Sequence, residues 1–188
     1  MEPEQRGAGR EAWLEAARRA LIEEGTAGVE INKLAKRLKT SRSVFYWFFR
    51  DRAQLLEEML DLWVQTSAVL LERIVASPGS GLELYHALTD LWVNETEYDP
   101  SWDGAIRDWG RTSKTVLDAV RKVDIRRIEA IEKIFHRMGY EGKEAHVRAR
   151  VMYYHQVGYY ALGVHQTQRA RRALLPFYEM VLTGKAGA

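Results

Sequence analysis

Cysteine is absent from this chain of 188 residues, and proline is scarce, with four residues. A chain without cysteine forms no disulfide bond, no thiolate metal site and no iron–sulfur cluster, and it has no cysteine nucleophile. Four prolines and 14 glycines are too few for a collagen-like or low-complexity chain. Lysine and arginine total 28 against 26 aspartate and glutamate residues, so the net charge of +2 identifies no partner.

Long apolar runs are also missing. The longest stretch without an acidic residue, lysine or arginine covers residues 151–168, and its histidine, glutamine and threonine residues make it too polar for a membrane span. The first ten residues are polar and lack the apolar stretch of a signal peptide. Because 46% of the residues are hydrophobic, a packed core is still possible. We therefore expect a folded cytoplasmic protein without a membrane partner.

Helical periodicity recurs along the chain, whereas the alternation typical of β-strands does not. Ile31, Leu34, Ala35 and Leu38, for example, follow the i, i+3, i+4, i+7 spacing of one helix face. The pattern predicts an all-α fold of about nine helices, with Gly25 ending the first. A long helix is expected from residue 52 to the break at residues 77–81. The later helices are predicted at 82–97, 101–110, 114–138, 143–166 and 170–183.

Positive charge is concentrated in residues 29–52. This block has a net charge of +5, although the whole chain has only +2. Its basic residues are Lys33, Lys36, Arg37, Lys39, Arg42, Arg50 and Arg52. A basic block in a nearly neutral protein is typical of a surface that faces phosphates.

The same block has the pattern of a helix-turn-helix. An amphipathic helix that starts at Ile31 is followed by a polar turn and a second short helix, which Ser41 or Thr40 can cap. In the second helix Phe45, Phe48 and Phe49 have helical spacing and are expected in the core. The residues that then point outward are Arg42, Ser43, Tyr46 and Trp47. An exposed tyrosine–tryptophan pair is unfavourable unless a partner covers it, and a DNA groove would do so.

Residues 10–63 resemble the DNA-binding domain of the tetracycline-repressor (TetR) family of bacterial transcription factors. The matching motifs are Leu34-Ala35, Thr40-Ser41-Arg42-Ser43, Phe45-Tyr46-Trp47-Phe48-Phe49 and Arg50-Asp51-Arg52-Ala53-Gln54-Leu55-Leu56. The resemblance implies a homodimeric transcriptional regulator, most simply a repressor. It would be tuned on, or released from, a palindromic operator in double-stranded DNA by an unknown small-molecule effector.

The resemblance also implies a role for individual residues. Arg42, Ser43 and Val44 would face the bases, and Tyr46 and Trp47 would contact the DNA backbone and neighbouring bases. Arg50 and Arg52 would hold phosphates. The complete set of expected DNA-binding residues is Thr40, Ser41, Arg42, Ser43, Val44, Tyr46, Trp47, Arg50 and Arg52. Lys39 departs from the pattern, since the family usually has glycine there.

The resemblance divides the chain into a helix-turn-helix domain at 10–52 and a helical effector-binding and dimerisation domain at 53–183. The aromatic and charged residues of the middle helices suggest a ligand site. The expected ligand-binding residues are Trp92, Trp102, Arg107, Trp109 and Tyr153. The last two helices are apolar on more than one face, which favours burial against a second subunit. The expected dimer residues are Val151, Tyr154, Tyr159, Leu162, Leu174, Phe177, Tyr178 and Val181.

Enzymatic signatures are not found. The five histidines form no i, i+4 pair, and there is no phosphate-binding glycine loop, nucleophile elbow or zinc-protease motif. We therefore expect no catalytic residue, no metal site and no cofactor. Two alternatives stay open. One is a helical small-molecule-binding or enzymatic domain whose basic N-terminal face docks an acidic protein, and the other is an architectural nucleic-acid-binding protein without an effector.

Overall fold

The computed structural model describes residues 9–164 and 166–184, and in these residues it is all-α, as predicted, with no β-strand. A 3-10 turn at Thr26–Gly28 separates the first two of ten α-helices. The helices are α1 (Arg10–Glu24), α2 (Ile31–Arg37), α3 (Arg42–Phe45), α4 (Arg52–Ser67), α5 (Val69–Ala76), α6 (Gly81–Asn94), α7 (Pro100–Gly110), α8 (Lys114–Arg137), α9 (Gly142–Ala161) and α10 (Gln168–Thr183).

Glycines in the left-handed region mark two of the helix ends. Gly25, with φ +68°, ends α1 as predicted, and its N–H donates to the carbonyl of Leu21 at 2.9 Å. Gly163, with φ +62°, follows α9, which therefore ends at Ala161 and not at residue 166 as predicted. The long helix expected from residue 52 is also interrupted, because Ala68 separates α4 from α5.

The described residues form two compact units. Unit 1 contains residues 9–66 and 101–120, and unit 2 contains 67–100, 121–164 and 166–184. Most of α4, and α7 from Ser101 onward, group with the N-terminal helices, whereas the sequence placed the boundary after residue 52. Helix α8 contributes its first residues to unit 1 and the others to unit 2.

Three aromatic side chains form the centre of the helix-turn-helix in unit 1. The rings of Trp13 and Phe45 meet edge to face at 5.2 Å between centroids. Phe45 and Phe49 lie nearly parallel at 5.2 Å, and all three side chains are buried. Edge-to-face and offset contacts of this kind are favourable beyond the area that they bury. They hold α3 against α1, whereas the third predicted core phenylalanine, Phe48, is only half-buried.

The core of unit 2 is built from α5, α6, α8 and α9. Leu88, Ile131 and Phe135 are among its fully buried side chains. Helix α6 begins with a reciprocal capping box, in which the Glu83 N–H donates to Ser80 Oγ and the Ser80 N–H donates to Glu83 Oε2. This cap fixes the start of a helix that lines the cavity described below.

The turn between α2 and α3 has a left-handed lysine. Lys39 has φ +52°. Its N–H donates to the carbonyl of Lys36 at 3.2 Å, and the Thr40 N–H donates to the carbonyl of Ala35 at 2.9 Å. This is the Schellman arrangement, whose left-handed position glycine normally occupies. The turn therefore keeps the geometry that a glycine would give it, at a cost in backbone energy.

We predict that Lys39→Gly raises the free energy of unfolding by about 1 kcal/mol, because glycine adopts this φ without strain. The melting temperature should rise by about 2–4 °C. Lys39→Ala is the control, since alanine also loses the charge but keeps the strain and should give no increase. Thermal denaturation of both variants checks this, and an equal shift for both would assign the effect to charge and not to the backbone.

Candidate nucleic-acid interface and cavity

Helix α3 is short, and its polar start is exposed. After Phe45 the chain continues as a turn, in which the Trp47 N–H donates to the carbonyl of Val44 at 3.2 Å. Ser41 occupies the N-cap position, but its hydroxyl pairs with the Ser43 hydroxyl at 2.7 Å. The predicted cap by the Ser41 side chain is therefore absent. The two hydroxyls lie together on the outer surface instead.

Two large aromatic side chains lie exposed beside these hydroxyls. Tyr46 is 45% exposed and Trp47 is 65% exposed, whereas the neighbouring Phe45 is fully buried. The aromatic cluster holds α3 with Phe45 inward, so the residues that follow it must face solvent. Exposed aromatic rings on a polar surface are typical of contact sites.

Arg42 and Tyr46 form a pair on this surface. The guanidinium of Arg42 donates to the Tyr46 hydroxyl from Nη2 at 2.7 Å and from Nε at 3.2 Å. The same guanidinium lies 5.5 Å from the centre of the tyrosine ring. The pair holds the arginine on the exposed face, with further N–H donors available to a partner. Of the other expected base-facing residues, Ser43 is exposed and Val44 is half-buried, like Thr40 in the turn.

The basic block is partly neutralised by acidic residues at the end of α1. Lys33 pairs with Glu24 at 3.2 Å, and Arg37 pairs with Glu23 at 2.7 Å and with Glu24 at 2.5 Å. Hydrogen bonding and attraction from Lys33, aided by Arg37, lower the pKa of Glu24, which stays ionised. These two cations therefore serve the contact between α1 and α2.

Other cations of the block are not paired with acidic residues. In the part of the chain that the structure describes, Lys36, Lys39 and Arg42 make no ion pair, and all three are exposed. The charge that can meet a polyanion is therefore concentrated around the turn and the start of α3.

The two arginines at the start of α4 differ in environment. Arg50 is exposed and pairs with Asp51 at 3.0 Å. Arg52 is half-buried and donates to the carbonyls of Val29 at 2.6 Å and Thr26 at 2.5 Å. Sequence reasoning placed both on phosphates. The structure instead assigns the Arg52 side chain to the backbone between α1 and α2.

Unit 2 contains a cavity of about 60 Å³ between α6, α9 and α10. The residues that line it are Tyr85, Thr89, Trp92, Val93, Met152, His155, Gln156, Tyr159, Gln166, Arg171, Leu175, Tyr178 and Leu182. Of the five expected ligand residues, this cavity includes only Trp92. Tyr153 turns away into the core, where its hydroxyl donates to Asp124 at 2.6 Å.

The other three expected ligand residues belong to α7 in unit 1. The Arg18 guanidinium lies 4.7 Å from the Trp102 ring, and Arg107 donates to Asp103 at 3.0 Å. Trp109 is half-buried on the same helix. These side chains contribute to unit 1 and do not line the unit 2 cavity. The five residues that the sequence assigned to one ligand site are therefore divided between the two units.

The expected dimer residues separate into two sets. Seven are exposed on α9, α10 and the turn after α9: Val151, Tyr154, Leu162, Leu174, Phe177, Tyr178 and Val181. Val147, which sequence reasoning missed, is 54% exposed and continues the stripe on α9. Tyr178 also lines the cavity, and the half-buried Tyr159 lines it without being exposed. Tyr159 lies about a quarter-turn from a stripe residue, which is enough to change the face that it occupies.

No helix in residues 9–164 and 166–184 has the length and apolar character needed to cross a membrane.

Residues 14–59 match the family model described as bacterial regulatory proteins, tetR family. This segment runs from α1 into α4 and includes the whole helix-turn-helix. A search of curated proteins finds no match.

Solved structures resemble the chain over almost its full length. A TetR transcriptional regulator from Legionella pneumophila has a TM-score of 0.71 at 14% identity, covering 96% of this chain and 98% of that one. The reduced form of E. coli NemR has a TM-score of 0.68 at 17% identity, covering 95% of this chain and 99% of that one. At these identities the likeness shows a shared fold.

The helix-turn-helix and its exposed aromatic residues lie within the segment that matches the family model. The N-terminal segment of the chain is therefore similar to the tetR family of bacterial regulatory proteins, and the chain shares the fold of these solved structures.

We predict that Arg52→Ala lowers the free energy of unfolding by about 1–3 kcal/mol, because two hydrogen bonds from a charged donor are lost. Arg52→Lys should also destabilise the chain, since an ammonium cannot reproduce the guanidinium fork. Neither change should alter the dependence of DNA affinity on salt, measured where the variants are folded.

Arg50→Ala is the matched control. It should leave the unfolding free energy within about 0.5 kcal/mol, as exposed substitutions usually do. It should reduce the slope of log affinity against log salt by about 0.9. Chemical denaturation and DNA titrations at several salt concentrations measure both quantities. Unchanged stability of Arg52→Ala together with a smaller salt slope would show that Arg52 contacts a phosphate and does not stabilise the fold.

Proposed function

We propose that the protein binds a palindromic operator as a homodimer and represses transcription until a small molecule alters its DNA affinity. The observation that carries the proposal is the outer surface of α3 and of the turn after it, where Arg42, Tyr46 and Trp47 lie exposed over a buried aromatic cluster. A short helix that presents arginine, serine and aromatic side chains fits the major groove of DNA.

Each residue of this surface has a chemical role in the proposal. Arg42 would donate to guanine O6 and N7, the commonest specific contact of arginine with DNA. Trp47 and Tyr46 would pack against sugars and thymine methyl groups. Lys36, Lys39 and Arg50 would supply attraction to phosphates, which raises affinity without reading the sequence.

The homodimer is supported by the exposed apolar stripe on α9 and α10. Phe177 is 61% exposed, Val181 is 72% exposed and Leu162 is 80% exposed. Exposed apolar side chains at helical spacing on two helices that contact one another are typical of a surface that a protein partner covers. A second copy would bring the same two helices across a two-fold axis and cover the patch on both chains.

The effector acts through linkage in this proposal. A ligand that binds the free dimer more tightly than the DNA-bound dimer lowers the affinity for DNA by the ratio of those two affinities. The cavity of unit 2 is the candidate location for such a ligand. Repression then depends on the operator overlapping the site that polymerase uses.

Selection from a random duplex library tests the function directly. We expect a palindromic consensus whose half-sites lie about 34–36 Å apart or a larger distance that keeps the same face of DNA. Binding that is weak, independent of sequence and lost with added salt would contradict the proposal. That result would support the alternative in which the basic face docks an acidic protein.

We predict that Arg42→Ala weakens binding to the selected operator by about 1–3 kcal/mol and relaxes base preference at the contacted position. Because Arg42 also donates to the Tyr46 hydroxyl, part of the lost affinity should come from a less fixed position of Tyr46 on the DNA. Arg19→Ala removes an exposed arginine of α1 that pairs with Glu15, and it serves as the control. Titrations on the operator and on single-base variants provide the measurement. Unchanged affinity and preference for Arg42→Ala would exclude Arg42 as a base contact.

We predict that Phe177→Glu converts the dimer to a monomer, because two carboxylates would be buried across the two-fold axis. Ile125→Glu, at an apolar position on α8 that is 55% exposed, should leave the dimer intact. Sedimentation equilibrium distinguishes one chain mass from two. A dimeric Phe177→Glu protein, or a monomeric parent protein, would show that this stripe is not the interface.

A further inference from the structure

Two buried polar groups on the lining residues of the unit 2 cavity have no hydrogen-bond partner among the residues that the structure describes. They are the hydroxyl of Tyr85 and the amide nitrogen of Gln156. Tyr85 is 1% exposed and Gln156 is 6% exposed. Buried donors are nearly always paired in proteins, because an unpaired one loses its hydrogen bonds to water without replacement. Two such donors belong to residues that line one cavity.

Both groups are hydrogen-bond donors at neutral pH. Burial, with a smaller contribution from the Glu179 carboxylate, raises the pKa of Tyr85, so its hydroxyl keeps the proton. The Gln156 nitrogen has two N–H bonds and no acceptor capacity. A ligand that satisfies both must therefore provide an acceptor such as an oxygen atom.

The charges around the cavity are already balanced. Arg171 is its lining cation, and Glu95 neutralises that guanidinium at 2.5 Å. Burial, and to a lesser extent Arg171, lowers the pKa of His155, which stays uncharged. Glu179 lies near Tyr85 and pairs with His86 at 2.7 Å. An anionic ligand would approach the Glu179 carboxylate without finding an unpaired cation in return.

The remaining walls are apolar or aromatic. They include Trp92, Val93, Met152, Leu175 and Leu182. Arg171 is itself covered by the ring of Tyr159, at 4.6 Å from the ring centre. A volume of about 60 Å³ has room for about four to six water-sized groups. The cavity therefore suits a small molecule that is apolar apart from one hydrogen-bond acceptor.

We propose that this cavity binds a small uncharged organic molecule whose carbonyl oxygen accepts hydrogen bonds from Tyr85 and Gln156 while its apolar body packs against Trp92. The inference rests on the proposed function in one respect, since it assigns this molecule as the effector. Binding itself requires only unit 2 and is independent of DNA.

Three probes of similar shape test the chemistry. Cyclobutanone has the acceptor, methylenecyclobutane replaces the oxygen with a CH2 group, and cyclopropanecarboxylate is an anion. Each is titrated into the full chain without DNA, and the NMR signal of the Trp92 indole N–H is followed, with Trp92→Phe for assignment. We expect cyclobutanone to bind about tenfold more tightly than either of the other probes, because only it satisfies the donors without an added charge.

Tyr85→Phe and Gln156→Met remove one donor each with little change in volume. The preference for cyclobutanone over methylenecyclobutane should fall to about threefold or less in each variant. The melting temperature of the unliganded protein should rise by about 2–4 °C, because an unpaired buried donor is removed. Tyr160→Phe is the matched control. Its hydroxyl donates to Glu95 at 2.8 Å, so this variant should melt at a lower temperature.

Several results would overturn the inference. They are no shift of the Trp92 signal at millimolar probe, equal affinity for the ketone and the hydrocarbon, or tighter binding of the carboxylate. A lower melting temperature for Tyr85→Phe with unchanged probe preference would mean that ordered water alone satisfies the hydroxyl. Selection of a palindromic operator is a separate experiment. If the protein binds the ketone but selects no operator, the proposed function is contradicted and the cavity inference stands. If it selects an operator but does not bind the ketone, the cavity inference is contradicted and the proposed function stands.

Discussion

The buried contacts of Phe45 with Trp13 and with Phe49 determine what the rest of unit 1 can do. Helix α3 is too short to be stable alone, since isolated helices of fewer than about 12 residues are marginal in water. The buried aromatic cluster replaces that missing stability and fixes the rotation of the helix. With Phe45 inward, Arg42, Tyr46 and Trp47 must lie in solvent. The surface proposed to contact DNA is thus a consequence of packing on the opposite side of α3 and of the turn that follows it.

Charge in this unit follows the same division between structure and contact. Lys33 and Arg37 hold α2 to the acidic end of α1, and Arg52 holds the backbone between them. The cations that make no such contact lie around the turn, where Lys39 accepts a left-handed conformation. The net charge of the segment therefore overstates the charge that can meet DNA. Unit 2 likewise contains a cation that is paired within the protein, because Glu95 neutralises the guanidinium of Arg171 beside the cavity.

The helix-turn-helix could be predicted from the sequence because its signals are local. Helical spacing identified Phe45 and Phe49 as core residues, and Gly25 was correctly predicted to end α1. The Arg52 contact could not be predicted, because it depends on carbonyls more than 20 residues away. The cavity was missed because its lining comes from three helices that only the fold brings together. One signal was available, since residues 152, 155, 156 and 159 follow i, i+3, i+4, i+7 spacing and include polar side chains. Tyr153 and Tyr159 were misplaced because a helix that is apolar on several faces gives no periodicity to separate them.

Trp47 provides the most direct test of the account. The chain would be labelled with 5-fluorotryptophan, its six indole signals assigned by single replacement, and the fluorine spectrum recorded with and without the selected duplex. The account predicts that the Trp47 signal shifts and loses its sensitivity to solvent on binding, whereas the signals of buried Trp13 and Trp63 stay in place. A bound duplex that leaves the Trp47 signal and its solvent exposure unchanged would contradict the assignment of the outer face of α3 to DNA.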